Sequence, residues 1–393
     1  MILRTDPSHS HMKTGFTARR LYTPTEEMPH PLLVVEDGRI TALSSREQSS
    51  AGIAPTDFGD ATLAPAFFDI HMHGGAGVDS MLASRDDLSR LGKFLTIHGV
   101  TAYFATTVAA PLDAICAALD RLSDAIEHPP TTAEARPLGI HLEGPFLSHK
   151  RRGVHPPENL VEPTVAIFDR LWQAARGHIR MMTIAPELPG AIEVIAEAAR
   201  RNVCVSIGHS DADMPTAVAA VGAGARHATH TFNAMRPLDH REPGILGEVL
   251  SADHITADMI VDGIHVDPSV VQLFLRAKGR ERAVLITDAI SATGMPDGRY
   301  RLGPIDVDVK DGKCTANGSL AGSVLTMDRA VQNVTRFSDW TLRDAIRAAT
   351  LNPARAVNLT SQRGSLAVGM EADFVVLDSA GKVLKTFVRG KEC

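Results

Sequence analysis

Short apolar runs, each closed by a glycine or a polar side chain, recur through the middle of the chain. They fall at about 64–71, 100–107, 137–142, 180–185, 203–208, 226–231, 256–262 and 283–288. Runs of this length without alternation read as strands buried on both faces, the pattern of a parallel sheet. Between several of them lie stretches with helical spacing: RDDLSRLGKFLTIHG, TVAIFDRLWQAAR and GAIEVIAEAARR. In the last, Ile192, Ile195, Ala196 and Ala199 recur at steps that place them on one helix face. Eight strands, mostly alternating with helices, predict an α/β fold, a (β/α)8 TIM-like barrel. A doubly wound nucleotide-binding sheet is the rival, but no glycine-rich phosphate turn opens an early helix.

The two ends follow another pattern. LLVVEDGRITAL sets two apolar runs around Asp37-Gly38, a hairpin signal, and DFVVLDSAGKVLKTFVRGK reads strand, turn, strand. Together they predict a small β-sandwich domain built from both termini, residues 1–62 and 356–393, with the barrel at 63–355. Within the chain, TLRDAIRAATLNPARAV reads as a helix with Thr341 as its N-cap. The first dozen residues read as unstructured, with SHSHM a cloning remnant.

Composition narrows the partners. The 393 residues suffice for one barrel and a small domain. A formal charge of -6 without a basic block argues against nucleic acid and anionic membrane as partners. Apolar stretches such as VAAPLDAICAAL are broken by proline or charge, so none reads as a bilayer span. The start, MILRTDPSHSHMKTG, has no apolar signal core. Cys116, Cys204, Cys314 and Cys393 show no metal-type spacing, and the expected compartment is the reducing cytoplasm.

The chemistry gathers where apolar runs end. His71 and His73 are two apart on a strand, so both imidazoles point the same way. Alone the pair says little: with this many histidines about one chance HxH is expected, and His9-Ser10-His11 is such a pair. Gly74, Gly75 and Gly77 follow at once and permit close backbone approach. Glu143 ends GIHLEG, where a carboxylate is costly unless ion-paired or metal-bound. His141 shares its side of the strand and is left out of the ligand set, either as a core residue or as one that supports a ligand. His209 follows VSIG, and read alone it is equally a core histidine. In HATHTFNAM only one of His227 and His230 need be a ligand. Asp288 follows VLIT and could equally cap a turn. Taken jointly, these groups at successive strand ends suit one divalent ion such as zinc at the C-terminal face of a barrel. Three protein ligands would leave a position for water, and a neighbouring aspartate could carry its proton.

The stretches APAFFDIHMHG, HLEGPF with RRGVH, GHS, HTFNAM, HREPG, DGIH, TDAISATG and LAGS make the chain recognisable. It resembles the amidohydrolase superfamily, and within it the deacetylases that act on N-acetylglucosamine 6-phosphate. The resemblance runs from about residue 63 to 330, and GSLAVGMEADFVVLD resembles the superfamily's closing strands. It implies that Glu143, His209 and His230 hold the principal divalent ion, that His71 and His73 hold a second where one is bound, and that Asp288 is the catalytic acid and base. It further implies substrate contacts from Val154, His155, Asn233, Ala234, His265, Leu320, Ala321 and Gly322. Arg241 in HREPG would bind the phosphate from the partner subunit of a homodimer; by itself it reads as well as a surface ion pair with Asp239 or Glu242. The implied reaction releases glucosamine 6-phosphate and acetate, in amino-sugar catabolism or cell-wall recycling. Departures from the family pattern are Ala66 for glycine, Phe68 for a smaller aliphatic residue and Val154 for alanine, none of them an expected ligand. No lysine ends a candidate barrel strand, Lys150 lying in the loop after HLEGPF, so a carboxylated-lysine site of the dihydroorotase type is disfavoured. The alternatives are hydrolysis of another N-acyl amino sugar phosphate or a cyclic amide, or a non-catalytic barrel scaffold.

Overall fold

The computed structural model describes residues 13–23, 26–45 and 53–393. The first dozen residues, expected to be unstructured, lie outside them. Eight parallel strands form the central sheet: β1 (Phe67–Met72), β2 (Val100–Thr106), β3 (Arg136–Glu143), β4 (Ile179–Ile184), β5 (Cys204–Ile207), β6 (His227–Ala228), β7 (Thr256–Ile260) and β8 (Ala283–Ile286). Each pairs in parallel with the next in sequence. β8 returns to β1 through the Asp288 N–H, which donates to the His71 carbonyl at 3.0 Å. Thr287 Oγ1 donates to the buried Asp69 carboxylate at 2.5 Å across the same seam. The sheet is thus a nearly closed barrel, as the run spacing predicts.

A helix follows every strand: α1 (Arg85–Ile97), α2 (Leu112–Glu127), α3 (Val165–Ala174), α4 (Ala191–Arg200), α5 (Met214–Ala223), α6 (Gly244–Ser251), α7 (Pro268–Arg282) and α8 (Met327–Phe337). Their starts are written locally. Ser84 and Asp87 make a capping box on α1, and Asp213 and Asp267 cap α5 and α7. The buried face of α4 is Ala191, Val194, Ile195 and Ala198, with Ala196 exposed. The expected stripe was therefore rotated by about one residue: the helix has two overlapping apolar stripes, and the one carrying Val194 buries more area than the one carrying Ala196.

Two predicted runs divide. In the first, Thr62–Pro65 pairs antiparallel with Phe374–Leu377, and only Phe67–Met72 joins the barrel. The expected helix at TLRDAIRAATLNPARAV breaks into α9 (Leu342–Ala348) and α10 (Leu351–Ala356). Thr350 takes φ −133°, ψ −80° between them, and Pro353 is tolerated in the first turn of α10, where no intrahelical N–H bond is lost. Thr341 caps α9 through a capping box with Asp344, as expected.

Strands from both ends form two further sheets. One has six strands and includes Arg20–Tyr22, Thr62–Pro65, Phe374–Leu377 and Val383–Val388; the other has four and includes Thr14–Thr17, Pro31–Glu36 and Arg39–Ser45. They enclose Phe16, Leu33, Val35, Leu63, Phe374 and Phe387 in a small sandwich. The Asp37-Gly38 turn has φ of 50° and 77°, the left-handed pair a two-residue hairpin requires. A four-stranded antiparallel sheet, residues 298–320, is inserted between β8 and α8. It was not anticipated, although IDVDVK alternates strictly between buried and exposed. No helix among the described residues is long and apolar enough to cross a membrane.

One buried charge gives the barrel a pH signature. Lys278, on α7, is fully buried and donates to the carbonyls of Val249 (2.6 Å) and Ala252 (3.0 Å) at the end of α6. Burial pushes its pKa down to about 8. Between that value and the ordinary lysine range the unfolded chain binds the extra proton, so stability rises with pH across this window. Urea unfolding of the wild type and Lys278→Met at pH 8 and pH 10 should show the wild type gaining relative to the variant, by on the order of 1–3 kcal/mol.

Candidate metal centre and active site

The C-terminal rim of the barrel collects the polar strand ends. The alternation of β1 sends Asp69, His71 and His73 to one side, and that of β3 does the same for His141 and Glu143. His209 follows β5 after Gly208, where an added Cβ would meet Thr229 Cβ at 2.9 Å. His230 follows the two-residue β6, and Asp288 follows β8. Gly74, just past His73, is held so tightly that a Cβ would fall 2.0 Å from the Val78 carbonyl oxygen. The backbone is strained here: φ is 47° at His209, 29° at His230 and 50° at Asp288, values that ordinary side chains avoid.

Glu143 is the hub. Its Oε1 lies 3.2 Å from His230 Nε2, 3.4 Å from His209 Nε2 and 3.5 Å from His71 Nε2. Its Oε2 lies 3.2 Å from His73 Nε2. Asp288 Oδ1 sits 3.1 Å from His73 Nε2 and 3.5 Å from His71 Nε2. His209 and His230 bring their Nε2 atoms to 3.0 Å of each other.

These groups fit a metal ion. Ligand atoms about 2.0–2.1 Å from a tetrahedral ion are spaced by about 3.4 Å, close to the separations observed. His209 Nδ1 lies 2.9 Å from the Arg151 carbonyl, which can only accept, so Nδ1 carries the proton and Nε2 offers a lone pair. That lone pair faces a carboxylate and another imidazole, an arrangement that calls for a cation. Both ring nitrogens of His71 are buried without a hydrogen-bond partner, as is Nδ1 of His73. Burial pushes the Glu143 and Asp288 carboxyls up, but His71, and for Asp288 also His73, outweigh it and hold both low, Asp288 at about 2. The two anions in turn lift His73 to about 10 against the effect of its burial. Two groups of ligand atoms lie close enough to grip an ion: His71, His73 and Asp288, and Glu143, His155 and His209.

His155 is less suited to ligation than His230. Its Nδ1 accepts the Ala109 N–H at 3.2 Å, which leaves Nε2 as the protonated nitrogen and a donor. Burial, and after it His209, depresses its pKa to about 3, so the ring is neutral. His141 lies one layer below, its Nε2 2.7 Å from Thr183 Oγ1, and burial keeps it far below the usual histidine value. His227 turns away from the site to Asp258.

A cleft of about 330 Å³ opens over these groups. Val154, His155, Asn233, Ala234, His265, Leu320 and Gly322 line it with His73, Glu143, His209, His230 and Asp288. Ala321 is buried between Leu320 and Gly322 and does not line it. Arg241 lies elsewhere, in a surface hollow with Lys150, Arg151, Asp211, Arg236 and Glu242. Its backbone N–H donates to Asp239 at 2.8 Å, while Glu242 pairs with Arg236 rather than with Arg241. No lysine or arginine is among the described residues that line the cleft.

Some contributors were missed in the sequence. Asp262 accepts from His265 Nδ1 at 2.7 Å and from the backbone N–H groups of Ile264 and His265 at 2.8 Å. Burial raises its carboxyl but the His265 contact holds it below the usual range. Its signal was the acid three residues before His265 in DGIH. Leu302 and Ser319, from the inserted sheet, also reach the cleft.

Comparison with known proteins agrees with this architecture. Residues 62–393 match the model of the Amidohydrolase family. An N-acetylglucosamine-6-phosphate deacetylase of Lysinibacillus sphaericus is 37% identical over 359 residues, 91% of this chain and 92% of that protein. An N-acetylgalactosamine-6-phosphate deacetylase of Escherichia coli O157:H7 is 38% identical, with 95% and 97% covered. A solved structure of a mutant N-acetyl-D-glucosamine-6-phosphate deacetylase of Mycobacterium smegmatis, in complex with N-acetyl-D-glucosamine 6-phosphate, superposes with a TM-score of 0.91 at 36% identity, covering 97% of this chain and 99% of that one.

Proposed function

The chain belongs to the amidohydrolase family, and from that membership we propose that it hydrolyses the acetamide of N-acetyl-D-glucosamine 6-phosphate to D-glucosamine 6-phosphate and acetate. The observation that carries the reading is the convergence of the His209 and His230 Nε2 atoms on one oxygen of the buried Glu143, at 3.4 and 3.2 Å. Glu143, His209 and His230 would hold the principal divalent ion, and His71 and His73 a second. The ion is zinc on the chemistry of this donor set. Bound there, it supplies Lewis-acid polarisation of the acetamide carbonyl and makes water acidic enough to attack near neutral pH.

The side chains do the rest. Asp288 takes the proton of the attacking water as the new C–O bond forms, then delivers it to nitrogen as the C–N bond breaks. His155, neutral with Nε2–H forward, donates to the carbonyl oxygen as it gains charge. Asp262 holds His265 Nδ1, so the other ring nitrogen of His265 meets a sugar hydroxyl; Asn233 does the same through its amide. Val154, Ala234 and the Leu320–Ala321–Gly322 loop shape the sugar site. Phosphate binding falls to Arg241 of the partner subunit of a homodimer, because no lysine or arginine is among the described residues that line the cleft. The four free cysteines support a cytoplasmic setting, and the product fits amino-sugar catabolism or cell-wall recycling.

Acetate release from N-acetylglucosamine 6-phosphate, its unphosphorylated form and the galacto epimer tests the substrate. Strong preference for the first is expected. Equal rates with the unphosphorylated sugar would refute the phosphate role. Preference for the galacto epimer would support the second reading, which the Escherichia coli relative at 38% identity favours.

The interface role has its own test. Arg241→Ala and Asp288→Asn should each be nearly inactive, yet hybrids of the two should regain activity. Such a hybrid has one site with Asp288 intact and Arg241 supplied by the other subunit. Hybrids as inactive as the parents would place Arg241 outside the partner's site.

A further inference from the structure

Beneath the rim, a polar chain crosses from β6 to β7 inside an otherwise apolar barrel. Asp258, on β7, and His227, on β6, are both fully buried. Asp258 Oδ2 lies 2.9 Å from His227 Nε2. A carboxylate only accepts, so His227 Nε2 carries a proton. His227 Nδ1 is 2.6 Å from Thr256 Oγ1, which itself reaches the Arg226 carbonyl at 3.1 Å. Asp258 uses its other oxygen, Oδ1, to accept the backbone N–H of His230. Its carbonyl accepts the Thr231 N–H at 2.9 Å. One residue therefore grips two successive amides of the segment that carries His230.

That segment needs a grip. β6 ends at Ala228, and within the next six residues φ is 29° at His230, 80° at Phe232 and 50° at Ala234. Left-handed backbone at non-glycine residues is costly and persists only where surroundings impose it. A buried carboxylate is also costly unless paired, and His227 with Thr256 provides the pairing.

We infer that Asp258, fixed by His227 and Thr256, is the positioning residue that sets where the His230 imidazole stands at the metal centre. The inference rests on the reading of His230 as a ligand. It assigns His227, the first histidine of HATH, a task distinct from ligation, and it explains a carboxylate in the apolar strand TADMI.

The test is metal affinity of the purified full-length protein, measured with Zn²⁺ by chelator competition, together with the absorption bands of the Co²⁺-substituted form. Asp258→Ala should weaken Zn²⁺ binding by about 10–100-fold, the usual range for groups that orient a ligand, and should shift the Co²⁺ bands. Asp258→Asn keeps an oxygen for the His230 N–H and should fall between the two. Should Asp258→Ala fail to fold, Asp258→Asn decides: at least threefold weaker binding is expected, and wild-type affinity overturns the inference. Asn352→Ala is the control for general loss of stability. It removes donors to the Arg280 and Ala283 carbonyls at the far end of β8 and should leave Zn²⁺ affinity unchanged. Zn²⁺ affinity of Asp258→Ala within twofold of wild type, with superimposable Co²⁺ bands, overturns the inference. His230→Asn separates the two ideas. If it binds Zn²⁺ like wild type, the ligand assignment itself fails; if it loses the ion while Asp258→Ala keeps it, only the positioning role falls.

Discussion

Asp288→Asn is expected to lower kcat by about 10²–10⁴-fold, the range for loss of a general acid–base, while Zn²⁺ content stays that of the wild type. An amide cannot accept the proton of the attacking water. The substitution suits its position in every other respect. Asp288 stands at φ 50°, and asparagine tolerates left-handed backbone better than most residues. The Asp288 N–H that closes the barrel onto His71 remains. A fall in kcat with little change in KM is the signature of a group that acts in the chemical step. Turnover within a few-fold of wild type would remove Asp288 from that step. Loss of Zn²⁺ together with turnover would instead make it chiefly a ligand, through the cluster it forms with His71 and His73.

Glu143→Gln is the second large effect. The amide keeps the size of the carboxylate but loses the charge on which four imidazoles converge. The variant should lose high-affinity Zn²⁺, and activity should fall to background. It should also lose the thermal stabilisation that the ion gives. A ligand bound only by the folded state stabilises by about 2.7 kcal/mol at a free concentration of 100 Kd. Wild-type protein stripped with chelator should therefore melt several degrees lower, and recover both Tm and activity on Zn²⁺ addition. Glu143→Gln should melt at one temperature with or without Zn²⁺. A Zn²⁺-dependent rise in Tm equal to that of the wild type would place the ion elsewhere.

Much of this was visible in one dimension. Strand and helix order follow from periodicity because burial on both faces of a parallel strand is a local constraint. The shared side of the HxH and HxE pairs was legible because strand geometry repeats every two residues, although an HxH pair alone says little about ligation. Where two patterns compete, local reading fails. The stripe of α4 turned by about one residue because two apolar faces overlap, and the one carrying Val194 buries more area than the one carrying Ala196. The run at 64–71 divides between two sheets because nothing in it marks which partner each half will meet. The inserted sheet at 298–320 was missed although its alternation is present, and with it Leu302 and Ser319.

The order of elements, the strand-end location of the polar groups and the kind of chemistry they can support were determined by the sequence alone, since each depends on side chains a few residues apart. Which of His227 and His230 enters the site, which His155 nitrogen carries its proton, and that Arg241 lies off its own cleft were decided only by the tertiary structure. The first two depend on hydrogen bonds between segments dozens of residues apart. Asp258 with His230, Ala109 with His155 and Arg151 with His209 are contacts that barrel closure creates and no local pattern encodes.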